Sequence, residues 1–86
     1  MYKLIVRKKV RSFLAERDAR FLNKFKKAFL LIQENPFAPH PNVAPLKNNL
    51  GHFRLRIGKY RILYQVNQKE VFVYLYKAGS RGSVYK

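Results

Sequence analysis

The chain has 86 residues, enough for one small two-layer domain, and we expect residues 1–86 to form that single domain. Apolar residues make up 48% of the sequence, which excludes a charge-dominated disordered chain, and the lack of cysteine excludes a disulfide framework or a thiolate metal site. With 19 Lys and Arg against 4 Asp and Glu, the formal net charge is +15, so an anionic partner is expected. Nucleic acid, an anionic membrane and an acidic protein partner could each supply that charge. RNA is the leading candidate, and a merely solvated basic surface is the alternative to all three.

The beginning of the sequence predicts a strand followed by a helix. Tyr2 to Arg7 contains a short apolar run that is typical of a strand. Val10, Phe13 and Leu14 then recur at helical spacing, in a segment that ends near Arg17.

The second helix is longer and has a defined start and end. Asp18 is a suitable N-cap, because its carboxylate can accept hydrogen bonds from the free N–H groups of the first turn. Asn35 and Pro36 end the helix. Between these limits, apolar residues recur every three or four positions and form a stripe that we assign to the core rather than to a ligand site: Phe21, Leu22, Phe25, Phe29 and Ile32.

A proline-rich connector follows the helices. Four prolines fall between Pro36 and Pro45, which predicts an extended segment with neither helix nor regular strand pairing. His40 in this connector has no second His and no carboxylate nearby, so we assign it to the surface rather than to a metal site.

Beyond the connector, the pattern changes to the period of two that is typical of strands. Phe53, Leu55 and Ile57 point to one side of the next strand, and Arg54 and Arg56 point to the other. This strand therefore has one apolar face and one charged face.

Two turns divide the rest of the sequence. Gly58 and Lys59 suit a tight hairpin, after which Tyr60 to Val66 forms the returning strand. Residues 67–70 form the next turn, and Val71 to Tyr76 is a β-branched and aromatic run that suits a central strand. Residues 77–86 are predicted to be a tail.

These elements predict an α+β fold: a strand, two helices and then a three-stranded antiparallel meander, with both helices on one face of a four-stranded sheet. Three of the four acidic residues lie in the helical part and the fourth lies in a turn. The meander is therefore almost free of negative charge, although it carries four arginines: Arg54, Arg56, Arg61 and Arg81.

The residue types that are absent limit the possible chemistry. There are no paired carboxylates in one segment, no glycine-rich phosphate loop and no His pair at metal spacing, so metal-assisted and acyl-transfer reactions are disfavoured and no cofactor is expected. Guanidinium and phenol groups beside a sheet instead suit phosphate recognition and base stacking. From pattern alone, Arg54 and Arg56 are also consistent with the solvated face of an amphipathic strand.

The same groups can support RNA cleavage without a metal ion. The 2′-hydroxyl of RNA is a built-in nucleophile, and Arg donors can stabilise the negative charge that gathers on the phosphorane. Neither His lies in the arginine-rich motif, so Tyr85 or a lysine is the candidate general base.

Several motifs of the chain together form a recognisable family pattern. They are FRLRIGKYRILY at residues 53–64, the run from Val71 to Tyr76, and GSRGSVY at residues 79–85. Asn35 and Pro36 after the second helix, and the Pro-Leu-Lys triplet at residues 45–47, extend the pattern. This set spans nearly the whole chain and resembles the RelE/ParE toxin superfamily.

The resemblance implies a RelE-like fold and a toxin of a microbial type II toxin–antitoxin pair. RelE-like members of the superfamily enter the ribosomal A site and cut mRNA, whereas ParE-like members poison gyrase. The arginine-rich motif and the Gly-x-Arg…Val-Tyr ending look RelE-like. The functional positions of RelE-like enzymes match five catalytic candidates in this sequence: Arg54, Arg56, Arg61, Arg81 and Tyr85.

The resemblance also implies a role for each position. Arg61 and Arg81 hold the scissile phosphate and its developing charge, Arg54 and Arg56 supply charge and proton transfer, and Tyr85 stacks on a base or acts as the general base. Where relatives carry Lys at the positions of Arg54 and Arg56, the arginines of this sequence weaken a general-base assignment, because a guanidinium hardly releases its proton at neutral pH.

The residues around this motif are candidates for RNA contact. They are Lys47, His52, Lys59, Lys77 and Ser80. Ser80 stands where many relatives have His, and the sequence ends one residue after Tyr85. His52, next to the second strand, is the candidate substitute for the missing His.

The expected partners are a cognate acidic antitoxin and mRNA on the ribosome, with no small-molecule cofactor. No stretch approaches the ~20 apolar residues of a membrane span, and the N-terminal apolar run is too short for a signal peptide, so we expect a cytoplasmic protein without a membrane partner. A ParE-like gyrase inhibitor and a non-catalytic module that binds RNA or an antitoxin remain the alternatives.

Overall fold

The computed structural model describes residues 1–80, which form two helices and five strands in one sheet. The strand order is β1-β5-β4-β3-β2, in which β1 pairs with β5 in parallel and all other neighbours are antiparallel. The predicted α+β fold with a C-terminal meander is confirmed, but the sheet has five strands rather than four. The elements are β1 (Lys3–Val6), α1 (Lys8–Ala15), α2 (Ala19–Glu34), β2 (Val43–Pro45), β3 (His52–Ile57), β4 (Tyr60–Asn67) and β5 (Phe72–Ser80).

Helix α2 begins and ends where its sequence indicates. The Asp18 carboxylate accepts a hydrogen bond from the Phe21 backbone N–H (3.0 Å), which confirms the N-cap, and Asn35 is the C-cap residue. The predicted apolar stripe of α2 faces the core, since Phe25, Phe29 and Ile32 are buried and the remaining members are partly buried. This stripe fixes the orientation of the helix on the sheet.

The core lies between the helices and one face of the sheet, here called the helix face. Phe25 stacks beside Phe29, with ring centroids 6.1 Å apart, and Phe53 stacks on Tyr64 at 5.5 Å. The strand residues that complete the core are Leu55, Ile57, Ile62, Val66, Val73 and Leu75.

The proline-rich connector contains a strand that the sequence did not predict. Val43 pairs with Leu55, and Pro45 pairs with Phe53, so the expectation of no regular pairing between residues 36 and 45 was wrong for its last three residues. The reason is that β2 is the edge strand of the sheet, where the missing N–H of a proline is tolerated. His40, in the same connector, is half-buried, and its Nδ1 accepts a hydrogen bond from the Asn42 N–H (3.0 Å).

Strand β5 starts later and ends later than its sequence pattern indicates. Val71 has a φ of 57° and belongs to the turn, whereas pairing continues to Ser80, which lies opposite Tyr60. Residues 77–80 are therefore strand and not the predicted tail. The long hairpin with β4 supplies the hydrogen bonds that extend them.

A bulge in β5 changes which side chains share a face. Leu63 pairs with Lys77 while Tyr64 pairs with Leu75, so Tyr76 is an extra residue on β5. Leu75 and Ala78 consequently both face the core, and Tyr76 and Lys77 both face the opposite side. The bulge thus adds one side chain to the face away from the helices.

Candidate nucleic-acid interface

The face of the sheet opposite α1 and α2, here called the far face, carries most of the predicted functional residues that the structure describes. Strand alternation and register place its side chains in rows that run across the strands, about 6.5 Å apart. The rows from β3 through β4 to β5 are His52, Gln65 and Tyr74; Arg54, Leu63 and Lys77; and Arg56, Arg61 and Gly79.

Arg61 is held rigidly at the end of the β3–β4 hairpin. It is only 8% exposed, and its Nη1 donates hydrogen bonds to the backbone carbonyls of Gly58 and Tyr60, both at 3.2 Å. A guanidinium fixed in this way keeps its charge and its remaining donors in one orientation. Such preorganised donors are suited to stabilising a developing anion.

Arg56 lies directly opposite Arg61 in the register and is exposed. Like charges at opposite positions of an antiparallel pair destabilise a sheet, so this pair is unfavourable for folding. None of the five strands contains Asp or Glu, and the ion pair between Arg17 and Glu16 (3.5 Å) lies outside the sheet. The row of Arg56, Arg61 and Gly79, here called the arginine row, therefore suits an anionic ligand.

Arg54 lies one row further along β3 and is half-buried. Together with Arg56 it lines a shallow groove of about 90 Å³ beside residues 41–44 of the connector and β2. The two predicted strand arginines thus lie on the same face and border one groove, as their period-two spacing indicates.

His52 and Tyr76 form a hydrogen-bonded pair on the far face. His52 Nδ1 and the Tyr76 hydroxyl are 2.9 Å apart, and the two rings meet edge to face at 5.5 Å. Burial raises the pKa of the Tyr76 hydroxyl, so the phenol stays neutral at physiological pH. Because His52 is four residues from Arg56 along β3, about 13 Å, it is not brought to the arginine row.

The other predicted residues are more dispersed. Lys47 is exposed in the turn between β2 and β3, and Lys59 lies in the hairpin turn with its Nζ 5.5 Å from the centre of the Tyr60 ring. Ser80 is exposed at the end of β5, opposite Tyr60 on the helix face. Two catalytic candidates, Arg81 and Tyr85, lie outside the described residues.

Two residues that sequence reasoning did not select share a cleft with Arg56. Lys24 and Lys27 of α2 line a cleft of about 540 Å³, which also borders His40 and Arg56. The sequence shows that these lysines lie off the apolar stripe of α2, but not which part of the sheet they approach. Sequence reasoning also did not select Tyr74 and Tyr76 as functional candidates, although their spacing of two residues indicates that they share one face of the strand.

The described residues also set limits on other chemistry. Among residues 1–80, no three His, Cys, Asp or Glu side chains cluster closely enough to share a metal ion. No helix in this part of the chain has the length and apolar content needed to cross a bilayer. The ionisable groups of the far face within residues 1–80 are guanidinium, ammonium, imidazole and phenol groups.

The fold is similar to that of several toxin structures. The chain superimposes on the archaeal RelE–RelB complex of Pyrococcus horikoshii with a TM-score of 0.82 and 24% identity, covering 95% of this chain and 97% of the matched chain. The isolated E. coli RelE toxin gives a TM-score of 0.80 and 21% identity, with 99% and 92% covered. The RelBE2 toxin–antitoxin complex of Mycobacterium tuberculosis gives 0.71 and 26% identity, with 93% and 98% covered.

Sequence comparison gives the family. No curated protein sequence matches the chain. Residues 5–83 match the model of the ParE toxin of the type II toxin–antitoxin system parDE, a range that begins within β1 and takes in every later element through β5. The chain therefore belongs to the ParE toxin family of type II toxin–antitoxin systems, within the RelE/ParE superfamily.

Proposed function

We propose that this toxin is a ribosome-dependent endoribonuclease that acts in the cytoplasm and inhibits translation by cutting mRNA. The observation that carries the proposal is the arginine row, in which an anchored Arg61 lies opposite an exposed Arg56 on a sheet without carboxylates. The unfavourable placement of two like charges makes sense where a phosphate binds between them.

The proposed reaction uses the RNA 2′-hydroxyl as the nucleophile. The 2′-hydroxyl gives its proton to a general base as the bond from the 2′ oxygen to the adjacent phosphorus forms. The bond from phosphorus to the 5′ oxygen breaks and that oxygen takes up a proton, so the products are a 2′,3′-cyclic phosphate and a 5′-hydroxyl end. Arg61 and Arg56 stabilise the negative charge that accumulates on the phosphoryl oxygens in between. By analogy with an oxyanion hole, each well-placed donor lowers the activation free energy by ~2.7 to 4 kcal/mol.

Proton transfer requires other groups, because an arginine side chain remains protonated at neutral pH. We assign the general base to Tyr85, and the second phosphate-holding guanidinium to Arg81, on the family resemblance. Arg54 supplies additional charge from the neighbouring row. His52 is about 13 Å along β3 from Arg56, which argues against its acting on the proton of the same nucleophile.

We further propose that an acidic antitoxin covers this surface when the toxin is inactive. The net charge of +15 favours fast association with an acidic partner. Two of the similar structures are complexes: one is RelE with RelB, and the other is the toxin–antitoxin complex RelBE2. The antitoxin and the mRNA would then compete for the same positive field.

Expression of the toxin without an antitoxin tests the proposal. We expect growth arrest with ribosome-bound mRNAs cut within codons. Arg56→Ala, which removes an exposed side chain, should lower the cleavage rate by about 100- to 1,000-fold. Arg20→Ala on α2 removes the same charge from an exposed site outside the sheet and should leave the rate unchanged.

Several outcomes would contradict this function. Arrest with intact mRNAs would exclude mRNA cleavage as its cause. Undiminished cleavage by a variant lacking both Arg56 and Arg61 would show that the arginine row is not the active site. Salt-dependent RNA binding without cleavage would indicate a non-catalytic binding module.

Inhibition of gyrase is the second candidate function, and it is favoured by the description of the matching family as a ParE toxin. It predicts DNA breaks and a damage response while translation initially continues. Purified gyrase that remains active in excess toxin would exclude it. Cleavage of mRNA in a purified translation system that contains no gyrase would favour the first candidate.

A further inference from the structure

The far face carries an aromatic cluster that the proposed cleavage does not use. Its members are His52, Tyr74 and Tyr76. The two tyrosine rings are 6.1 Å apart between centroids, and the His52 ring meets Tyr76 at 5.5 Å. All three are partly exposed, and all lie on the side of the sheet away from the main core. These rings are therefore not required to fill the space beneath the helices.

We propose that the aromatic cluster of His52, Tyr74 and Tyr76 is a stacking site for a base of single-stranded RNA. The inference rests on the proposed function, because it assigns a second contact to the same RNA strand. Aromatic rings on a sheet bind unstacked bases through their faces, while neighbouring cations hold the phosphates. The adjacent row supplies such cations, since Leu63 of β4 pairs with Arg54 of β3 on one side and with Lys77 of β5 on the other.

The bulge in β5 creates this combination of groups. In a regular strand, Tyr76 and Lys77 would point to opposite faces of the sheet. The extra residue puts the ring and the ammonium group next to each other on the far face. A base and its phosphate can therefore be contacted by consecutive residues of one strand.

The hydrogen bond with His52 fixes the Tyr76 ring in place. Since the Tyr76 hydroxyl is paired with Nδ1 of His52 at 2.9 Å, the polar end of the side chain is satisfied within the protein. What remains available to a ligand is the apolar surface of the ring. The neutral phenol also adds no negative charge that would repel RNA.

The spacing of the two contacts predicts how the substrate is positioned. Tyr74 lies in the row of His52, two rows from the arginine row, which corresponds to about 13 Å along the strands. One RNA strand that follows this direction would place a base on the aromatic cluster and another nucleotide's phosphate at Arg56 and Arg61. The cluster would then set which phosphate of the strand reaches the arginines.

The affinity for short single-stranded RNA, measured by fluorescence anisotropy over a range of salt concentrations, tests the proposal. Tyr74→Leu and Tyr76→Leu keep apolar volume but remove the stacking surface, so each should weaken binding about tenfold. For both variants, the slope of log affinity against log salt concentration should match that of the unmodified protein. Arg56→Ala, in contrast, should reduce that slope by about 0.7, because it removes one phosphate contact.

Two variants provide matched controls. Tyr76→Phe retains the ring and removes only the hydroxyl that fixes it, so it should weaken RNA binding clearly less than Tyr76→Leu does. Phe37→Leu changes an exposed ring that packs against Phe53 of the helix face, and it should have no effect on RNA affinity. An RNA of the same length with abasic sites should bind the unmodified toxin more weakly than normal RNA does. The Tyr76→Leu variant, in contrast, should bind normal and abasic RNA with the same affinity.

The outcomes separate this inference from the proposed function. If normal and abasic RNA bind the unmodified toxin with equal affinity and a normal salt slope, the stacking site is wrong while phosphate binding stands. If Tyr76→Phe is as weak as Tyr76→Leu, the hydroxyl and not the ring surface is responsible, which also overturns stacking. If the unmodified toxin shows no salt-dependent RNA binding, the electrostatic contacts of the proposed function fail as well.

Discussion

The two faces of the sheet are built from the same strands but differ in burial and charge. On the helix face, Leu55 and Tyr64 are completely buried and pack with Phe25, which has no exposed surface. On the far face, the positions between them carry Arg54, Arg56 and other polar or aromatic groups, without a carboxylate in any strand. Apolar burial therefore holds the strands together from one side, and charge is concentrated on the other.

The difference shows that the far face is not organised for stability. Two arginines face each other across β3 and β4, and the repulsion between them must be offset by the packing on the helix face. The hairpin turn at Gly58 connects the two faces, because a Cβ at this position would lie 3.0 Å from the Phe21 ring and its carbonyl anchors Arg61.

Substitutions on opposite faces should therefore differ in their effect on stability, and the largest effect is expected in the core. Phe25→Ala should lower the free energy of unfolding by about 3–5 kcal/mol, because it removes a fully buried ring and leaves a cavity. Arg56→Ala should change it by less than about 0.5 kcal/mol, or raise it slightly, because it removes an exposed like charge. Urea denaturation of both variants measures the contrast.

A loss of stability in Arg56→Ala comparable to that in Phe25→Ala would contradict the division of roles between the faces. It would mean that Arg56 makes a structural contribution. Raising the salt concentration offers a further check, since screening should stabilise the unmodified protein more than Arg56→Ala if repulsion within the arginine row is the cause.

The turn that joins the faces gives an intermediate effect. Gly58 has a φ of +59°, and a Cβ there would lie 3.0 Å from Cε1 of Phe21. Gly58→Ala should therefore cost about 1–2 kcal/mol of stability. It should also slow RNA cleavage, because the carbonyl of residue 58 helps to fix the Arg61 guanidinium.

Gly51→Ala is the matched control for this turn. Gly51 also has a positive φ, +81°, but a Cβ there would meet only the Val66 carbonyl oxygen at an ordinary 3.6 Å. It should lose stability through the same backbone strain while keeping the cleavage rate. If both variants slow cleavage equally under conditions where both are folded, the link between the hairpin turn and Arg61 is wrong.

The sequence predicts the helix face more completely than the far face. Apolar periodicity identifies the α2 stripe, and Asp18 marks its start, because both depend on neighbours within one element. The alternation of Arg54 and Arg56 with Leu55 likewise follows from strand geometry alone. These predictions required no knowledge of how the elements pack.

The features that the sequence did not predict depend on pairing between distant segments. The edge strand at Val43–Pro45 contains a proline and exists because β3 offers it a partner. The bulge at Tyr76 is decided by how β5 pairs with β4, so no local pattern shows that Tyr76 and Lys77 share a face. The cleft that Lys24 shares with Arg56 depends on the packing of α2 against the sheet.

The smallest expected effect concerns an unfavourable group on the helix face. The Tyr64 hydroxyl is buried and has no hydrogen-bond partner among the described residues, and burial raises its pKa well above the usual value. Tyr64→Phe should therefore raise the free energy of unfolding at neutral pH by about 1 kcal/mol, because it removes an unsatisfied buried polar group.

The alkaline pH dependence of this variant sharpens the test. A folded-state pKa above the unfolded value of about 10 means that the folded protein binds more protons above pH 10, so the stability linked to Tyr64 is present below pH 10 and is lost as the pH rises further. The unmodified protein should thus lose more stability than Tyr64→Phe between about pH 9 and pH 11. Parallel losses in the two proteins would mean that the hydroxyl is hydrated or paired in solution, and the helix face would then contain no unfavourable polar group at this position.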